Sequence, residues 1–389
     1  MDRFSAAERA LRTAAPHELL DAVRHVLMEH YQATSVELLM ADYAMTILQP
    51  VAALPYTAEP VSVHNSAPGR AFGAQEPYLR TSSHPPAVTA HLPVTVRGDR
   101  LGVLCVTLPE ETGTPDVVRE LQDVSEVLGH EIVVAERDTD LYLQARRADR
   151  LTLAAEMQWQ LLPGRSCSRT EYDLGAQLEP AYAIYGDNFD WSTSADHLTL
   201  TVSNGMGEGI EAALLTNLAI NALRNARRAG LSLADQACLA DQAIYGQHHG
   251  AVHLSVLLLR FNLSTGQVEV VDAGSPKVWR IRDGVVEPIE LEAQLPLGMF
   301  EETIYTPQHL QVLPGDRLLF VSDGVYNVAS PQGERYIQNA LARAATNTRL
   351  LPPSQVPRAI LQELTGHRGP SQSEDDAMVV CLDWHGREH

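Results

Sequence analysis

The sequence predicts an α+β protein built from more than one domain, on three grounds. A chain of 389 residues is longer than one ordinary hydrophobic core organises. Its second half reads as strand after strand with pairs of helical stretches between them, which implies packed sheets with helices outside. Between that half and the N-terminal region runs a stretch of apolar residues at helical spacing, which separates the two.

Composition narrows the function classes. With 45% hydrophobic and 20% charged residues the chain is expected to be globular. Its formal net charge of −20 argues against a nucleic-acid binder, whose phosphate contacts need clustered Lys and Arg; it suits a protein that binds cations, or one that stays soluble among other proteins. No apolar run approaches the ~20 residues of a spanning helix. The N-terminal MDRFSAAERALRTAAPHELL is charged and amphipathic and lacks the apolar core of a signal peptide. The expectation is a cytoplasmic protein without a membrane partner.

Residues 1–113 read as a small α/β sensor domain. A helical pattern from Ala7 to Tyr31, broken near Pro16, leads to strand-like SVELLMADY (35–43) and AMTILQPVA (44–52). A loop carrying Pro68, Gly69, Gly73 and Pro77 precedes HLPVTVRGDRLGVLCVTL (91–108). That last piece reads as a hairpin turning at Arg97-Gly98-Asp99. The run LPVTVRGDRLGVLCV resembles the closing hairpin of GAF domains, which implies an antiparallel sheet flanked by helices. It leaves open which small ligand, if any, the domain takes.

Thr114-Pro115 reads as a helix start, with Thr as the N-cap and Pro in the first turn. Val117, Leu121, Val124, Leu128 and Ile132, then Leu141, Ala145, Ala148, Ala155 and Leu162, recur at three- to four-residue spacing. They predict a helical connector over 114–162. Two roles stay open for it: packing on its own domain, or a parallel coiled coil that makes a homodimer.

From residue 163 to 389 strands dominate: LGAQLEPA (174–181), LTLTVSN (198–204), LSVLLLRFN (254–262), QVEVVDAG (267–274), KVWRIRDG (277–284), RLLFVSDGV (317–325) and AMVVCLDW (377–384). Helices are expected over 208–229, 232–245, 334–346 and 353–365. The four cysteines, at 105, 167, 238 and 381, stand far apart with no CxxC pair; buried small hydrophobes are the default reading. QHHGAVH (247–253) reads as a turn before a strand rather than a metal cluster.

The stretch TVSNGMGEGIEAALLTN (201–217) places Gly205, Gly207 and Gly209 between a strand end and a helix start. Glycines there permit positive φ and let the backbone approach another group closely. Carboxylates sit at other strand ends and turns, where a hard cation can be held. They are Asp187 and Asp190 in IYGDNFDW (184–191), Asp323 in VSDGV (321–325), and Asp375 with Asp376 in SEDDAMVV (373–380).

Taken in order, these pieces resemble the PPM-type (type 2C) metal-dependent protein phosphatases of the bacterial SpoIIE-like branch. The resemblance rests on QWQLLP (158–163), PAYAIYGDNFDW (180–191), SNGMGEGIEAAL (203–214), SVLLLRFNLSTG (255–266), DAGSPKVW (272–279), PLGMF (296–300), PGDRLLFVSDGVYN (314–327) and DDAMVV (375–380). It implies an αββα sandwich, two antiparallel sheets face to face, that hydrolyses phosphoserine and phosphothreonine with two Mg²⁺ or Mn²⁺ ions at one edge. Carried over by position, Asp187 holds one metal, Gly205 offers its carbonyl, and Asp323 and Asp375, with its neighbour Asp376, hold the other. A phosphorylated STAS-domain anti-anti-sigma factor is the substrate implied, with the GAF-like domain as regulator.

One position departs from the pattern. Where the family has an Asp shared by both metals, this chain has Asn204. An amide carries no charge and offers one oxygen, its other end being a donor, so a weaker metal pair is expected. Tyr185, Ser275 and Met378 also depart, where the family has Gly, His and Thr. Two readings follow: an active phosphatase using Asp187, Asn204 and Asp323, or a pseudophosphatase that signals by binding.

Overall fold

Apolar residues repeat with a period near 3.6 in some stretches and a period of two in others, and the first seek a sheet face to cover. A computed structural model describes residues 2–51, 59–179, 184–274, 276–337, 339–369 and 375–387. It divides into two compact units, Met1–Arg150 and Leu151–His389.

In the first unit α1 (Arg3–Thr13) and α2 (Leu19–Tyr31) lead into β1 (Ser35–Ala41), β2 (Ile47–Pro50) and β3 (Val61–Ser62). Then come α3 (Ala67–Ala74), β4 (Tyr78–Ser83), β5 (Pro86–Val96), β6 (Asp99–Pro109), α4 (Pro115–Ala135) and α5 (Leu141–Ala145). The strands form one antiparallel sheet in the order β3-β2-β1-β6-β5-β4. The expected hairpin is β5–β6, and Arg97 and Gly98 at its tip both have positive φ, 52° and 90°, as a two-residue turn with the strands' own twist requires. Leu38, Met40, Leu104 and Val106 face α1, α2 and α4, while Leu39, Ala41, Val103 and Cys105 face α3. Neither α3 nor β4 is signalled by the Pro- and Gly-bearing stretch that encodes them. Part of the 44–52 run lies outside the described residues.

The connector expected over 114–162 is divided. Thr114 caps α4 by accepting from the Val117 amide, but the helix ends at Ala135. Its stripe Val117, Leu121, Val124, Leu128 and Ile132 is buried in the first unit's core, so the face a coiled coil would use is already covered. The stretch 153–161 forms a separate helix, α6 (Leu153–Leu161), in the second unit.

After α6 the second unit runs through β7 (Ser166–Ser168), β8 (Tyr172–Glu179), β9 (Asn188–Thr193), β10 (His197–Asn204), α7 (Gly209–Arg228) and α8 (Leu233–His248). It continues with β11 (Ser255–Asn262), β12 (Gln267–Ala273), β13 (Lys277–Arg282), β14 (Val285–Pro288), β15 (Gln308–Gln311) and β16 (Arg317–Val321). It closes with α9 (Asp323–Tyr326), α10 (Ala340–Asn347), α11 (Val356–Arg368) and β17 (Ala377–Trp384). Two antiparallel sheets result, ordered β15-β12-β11-β10-β9 and β14-β13-β16-β17-β8-β7.

Period-two alternation sorts the layers. Leu198, Leu200, Leu257, Leu259 and Phe261 of the first sheet meet Leu318, Phe320, Val380 and Leu382 of the second in the inner core. Val256 and Leu258 point the other way, onto Leu215 and Ile220 of α7 and Ala237 of α8. Leu319, Val379 and Cys381 likewise point outward, onto Leu341 of α10 and Ile360 of α11. The layers are therefore helix, sheet, sheet, helix. Met378 is fully buried in the inner core, where its side chain serves packing. The expected RLLFVSDGV strand stops at Val321, and Asp323 opens a helical turn instead. Cys105 and Cys381 are buried and all four cysteines are free thiols. Among the described residues no helix is long and apolar enough to cross a membrane.

Candidate active site

At one edge of the sandwich four chain segments meet: the turn 184–187 before β9, the glycine loop after β10, the start of α9 after β16, and the start of β17. Asp376, fully buried, ties two of them together. Its Oδ2 accepts from the backbone amides of Tyr185 (2.9 Å), Gly186 (2.9 Å) and Asp187 (3.1 Å). Asp187 in turn accepts from the Gly205 amide on Oδ1 at 3.1 Å. Two helices fix the same turn from behind. The Thr216 hydroxyl of α7 donates to the Gly186 carbonyl at 2.7 Å, and the Gln158 amide of α6 donates to the Asp187 carbonyl.

The glycines are explained by this crowding. A Cβ on Gly205 would stand 2.3 Å from the Gly186 carbonyl carbon, and one on Gly324 would stand 1.8 Å from the Asp376 carbonyl oxygen. Gly186, Gly207 and Gly209 hold positive φ of 104°, 91° and 64°, which other residues adopt only with strain.

The charges gathered here are of one sign. Burial holds the Asp187 carboxyl well above the usual carboxylate range, and Asp376, Asp323 and Asp375 push it further, eased by a hydrogen bond from Ser322. Burial raises Asp376 to about 7 against the pull of the three amides, with Asp375 adding to the rise. Asp375 is raised to about 6 by burial and by Asp323. Burial raises Asp323 as well. A low-dielectric site that crowds four carboxyls raises their pKa values until a cation arrives.

Oxygen donors of this kind suit Mg²⁺ or Mn²⁺. The buried Oδ2 of Asp187 and Oδ1 of Asp376 make no hydrogen bond, which leaves two carboxylate oxygens able to accept a cation. Among the described residues no three acidic, His or Cys side chains stand together as a finished metal cage. The site thus has ligands of the right chemistry in an open arrangement.

The structure brings together Asp187, Gly205, Asp323, Asp375 and Asp376. Asn204, the last residue of β10 and 3% exposed, enters through its neighbour Gly205 and pairs across to Ser255 of β11. Asp190 belongs elsewhere: it accepts from Arg224 (2.7 Å) and Arg227 (3.0 Å). His248 ends α8 and His249 caps it in the left-handed region, in keeping with a turn. Pro180 to Ala183, Ser275, Ser373 and Glu374 lie outside the described residues. Sequence reasoning missed the positioning roles of Gln158, Thr216 and Gly186, and of Ser322, whose hydroxyl oxygen accepts from the Met378 amide at 3.0 Å. Gln158 lay within a motif already singled out; Thr216 gave no signal, because its partner is a backbone carbonyl 30 residues away.

The family model described as Stage II sporulation protein E (SpoIIE) matches residues 194–385. The phosphoserine phosphatase RsbU of Bacillus subtilis is 22% identical over 244 residues, covering 62% of this chain and 71% of that protein. Protein IcfG of a Synechocystis species is 21% identical over 257 residues, covering 58% of this chain and 40% of that one. Among solved structures, the SiaA-PP2C domain of Pseudomonas aeruginosa superposes with a TM-score of 0.50 at 20% identity, over 59% of this chain and 93% of that domain; this likeness speaks to fold.

Proposed function

Residues 194–385 are a SpoIIE-family domain with the PP2C-type phosphatase fold, and on that premise we propose that the chain is a metal-dependent protein serine/threonine phosphatase. The observation that carries the reading is the convergence of Asp187, Asp323, Asp375 and Asp376 on one sheet edge, where burial and mutual repulsion favour divalent cations.

When bound, two divalent cations supply a water nucleophile and Lewis acidity toward the phosphoryl oxygens. The chain's part is to hold oxygen donors in place. Asp187, Asp323 and Asp375 offer carboxylates and Gly205 its carbonyl. Asp376 fixes the 185–187 amides, and Gln158 and Thr216 lock the carbonyls on the other side of that turn. The substrate in this reading is a phosphoprotein, a STAS-domain anti-anti-sigma factor being the class implied by resemblance. The six-stranded sheet flanked by helices in the first unit supports a GAF-like regulatory role. Mn²⁺-dependent hydrolysis of p-nitrophenyl phosphate tests this, with Asn204→Asp expected to raise turnover more than tenfold. Inactivity of both proteins overturns the reading.

A second reading, a pseudophosphatase that signals by binding, is favoured by Asn204 itself. The neutral amide leaves one negative charge fewer for two cations. Activity confined to Asn204→Asp would decide for it.

A further inference from the structure

The crossover between the two sheets leaves β12 through Gly274 and enters β13 at Lys277. At its start, a Cβ on Gly274 would touch Ser255 Oγ at 2.5 Å, and Ser255 pairs with Asn204. At its end, Lys277 pairs with Val321, two residues before Asp323. The Lys277 ammonium lies 5.7 Å from the ring centroid of Tyr326, in the helical turn that Asp323 opens. A cation therefore stands at the sheet edge that carries the site, with Asp272 as the carboxylate it acts on.

Behind Lys277 opens a pocket of about 480 Å³, within the ~300–1,000 Å³ range of ligand sites. Trp279, Val286, Ile289, Leu291 and Ala293 form the apolar part of its wall, and Asp272, Glu290 and Lys277 the charged part. Its frame is fixed by backbone bonds: the Ile289 amide donates to the Val278 carbonyl at 2.9 Å, and the Gln294 amide to the Asp272 carbonyl at 2.8 Å. Half-buried apolar side chains at Val286, Ile289 and Leu291 leave surface that an incoming side chain can cover.

We propose that this pocket reads the peptide around the phosphorylated residue: Lys277 meets the phosphoryl group, and an apolar side chain next to the phosphoserine or phosphothreonine enters the pocket. The inference rests on the phosphatase reading of the adjoining site. A positive charge is needed at this point because a phosphorylated partner approaches a chain of net charge −20, and lysine is a common phosphate partner.

The test uses two fluorescein-labelled phosphoserine peptides that differ only in Leu or Gly beside the phosphoserine, offered to the full chain with Mn²⁺. Rates are normalised to p-nitrophenyl phosphate turnover by the same variant. The wild type should favour the Leu peptide by about tenfold in kcat/KM. Ala293→Trp, which fills the pocket from an exposed position, should abolish that preference. Before normalisation, Lys277→Met should lower kcat/KM about tenfold for both peptides and for p-nitrophenyl phosphate, and Lys277→Arg should restore most of it. Equal use of the two peptides by the wild type, or a Lys277→Met protein with unchanged kcat/KM, overturns the proposal while leaving the phosphatase reading intact. Should no variant, including Asn204→Asp, hydrolyse anything, the phosphatase reading fails on its own, and anisotropy decides the pocket. Tighter binding of the Leu peptide that Ala293→Trp removes sustains it, and indifference overturns it.

Discussion

Asp187 and Asp190 stand three residues apart, both almost fully buried, and the molecule treats them in opposite ways. Asp190 is neutralised from within by Arg224 and Arg227 of α7, its side chain 4% exposed and theirs 19% and 16%. Asp187 faces three further aspartates. The first arrangement is complete as folded; the second is complete only when something positive arrives. A buried carboxylate therefore tells little by itself. What surrounds it distinguishes a structural brace from a binding site.

The largest effect should come from opening the closed arrangement. Asp190→Ala leaves two partly buried guanidinium groups without their carboxylate and should lower stability by about 3–5 kcal/mol, read from urea denaturation. An unchanged midpoint would mean that the ion pair does not brace α7 against β9. Gly205→Ala comes next. The new methyl has backbone for a neighbour at 2.3 Å, so the loop must shift, at about 2 kcal/mol and with weaker Mn²⁺ binding by calorimetry. Retained stability would show that the Gly186–Gly205 contact is loose. Smaller, and of opposite sign, is Asp187→Asn. Above the pH at which these raised carboxyls ionise, removing one of four like charges should stabilise the metal-free protein by on the order of 1 kcal/mol, because the amide oxygen can still accept from Gly205. The same change should abolish Mn²⁺ binding. Destabilisation would place Asp187 in the same class as Asp190.

That contrast also marks what the sequence disclosed. The sandwich was legible because strands such as β11 alternate cleanly, with Leu257 and Leu259 inward and Val256 and Leu258 outward. Short edge strands β7, β14 and β15 carry too few residues to show a period. The carboxylates Asp187, Asp323 and Asp375 were legible through motif order, but the fate of Asp190 was not, since Arg224 and Arg227 lie a helix away in sequence. The connector failed for a related reason. Its stripe at helical spacing is real, yet spacing does not say what covers a stripe, and in α4 it is the first unit's own sheet.

The finest test of the open arrangement is its response to pH. Asp375 and Asp376 are raised to about 6 and about 7 in the folded chain, against about 3.9 for an unfolded Asp. Between roughly pH 4 and pH 7 the folded chain thus holds protons that the unfolded chain has released, so these groups make stability fall as pH rises through that window. Below it both states are protonated and the groups contribute nothing; above it both are ionised and the cost is at its full value. Mn²⁺ binds the ionised carboxylates, so its stabilisation should be larger at pH 8 than at pH 5. Urea midpoints across this range, with and without Mn²⁺, should show a decline in the metal-free protein that Mn²⁺ opposes and that Asp375→Asn lessens. A slope untouched by Asp375→Asn and by Mn²⁺ alike would mean that these carboxyls are not crowded, and the opposition between the two aspartates would lose its electrostatic basis.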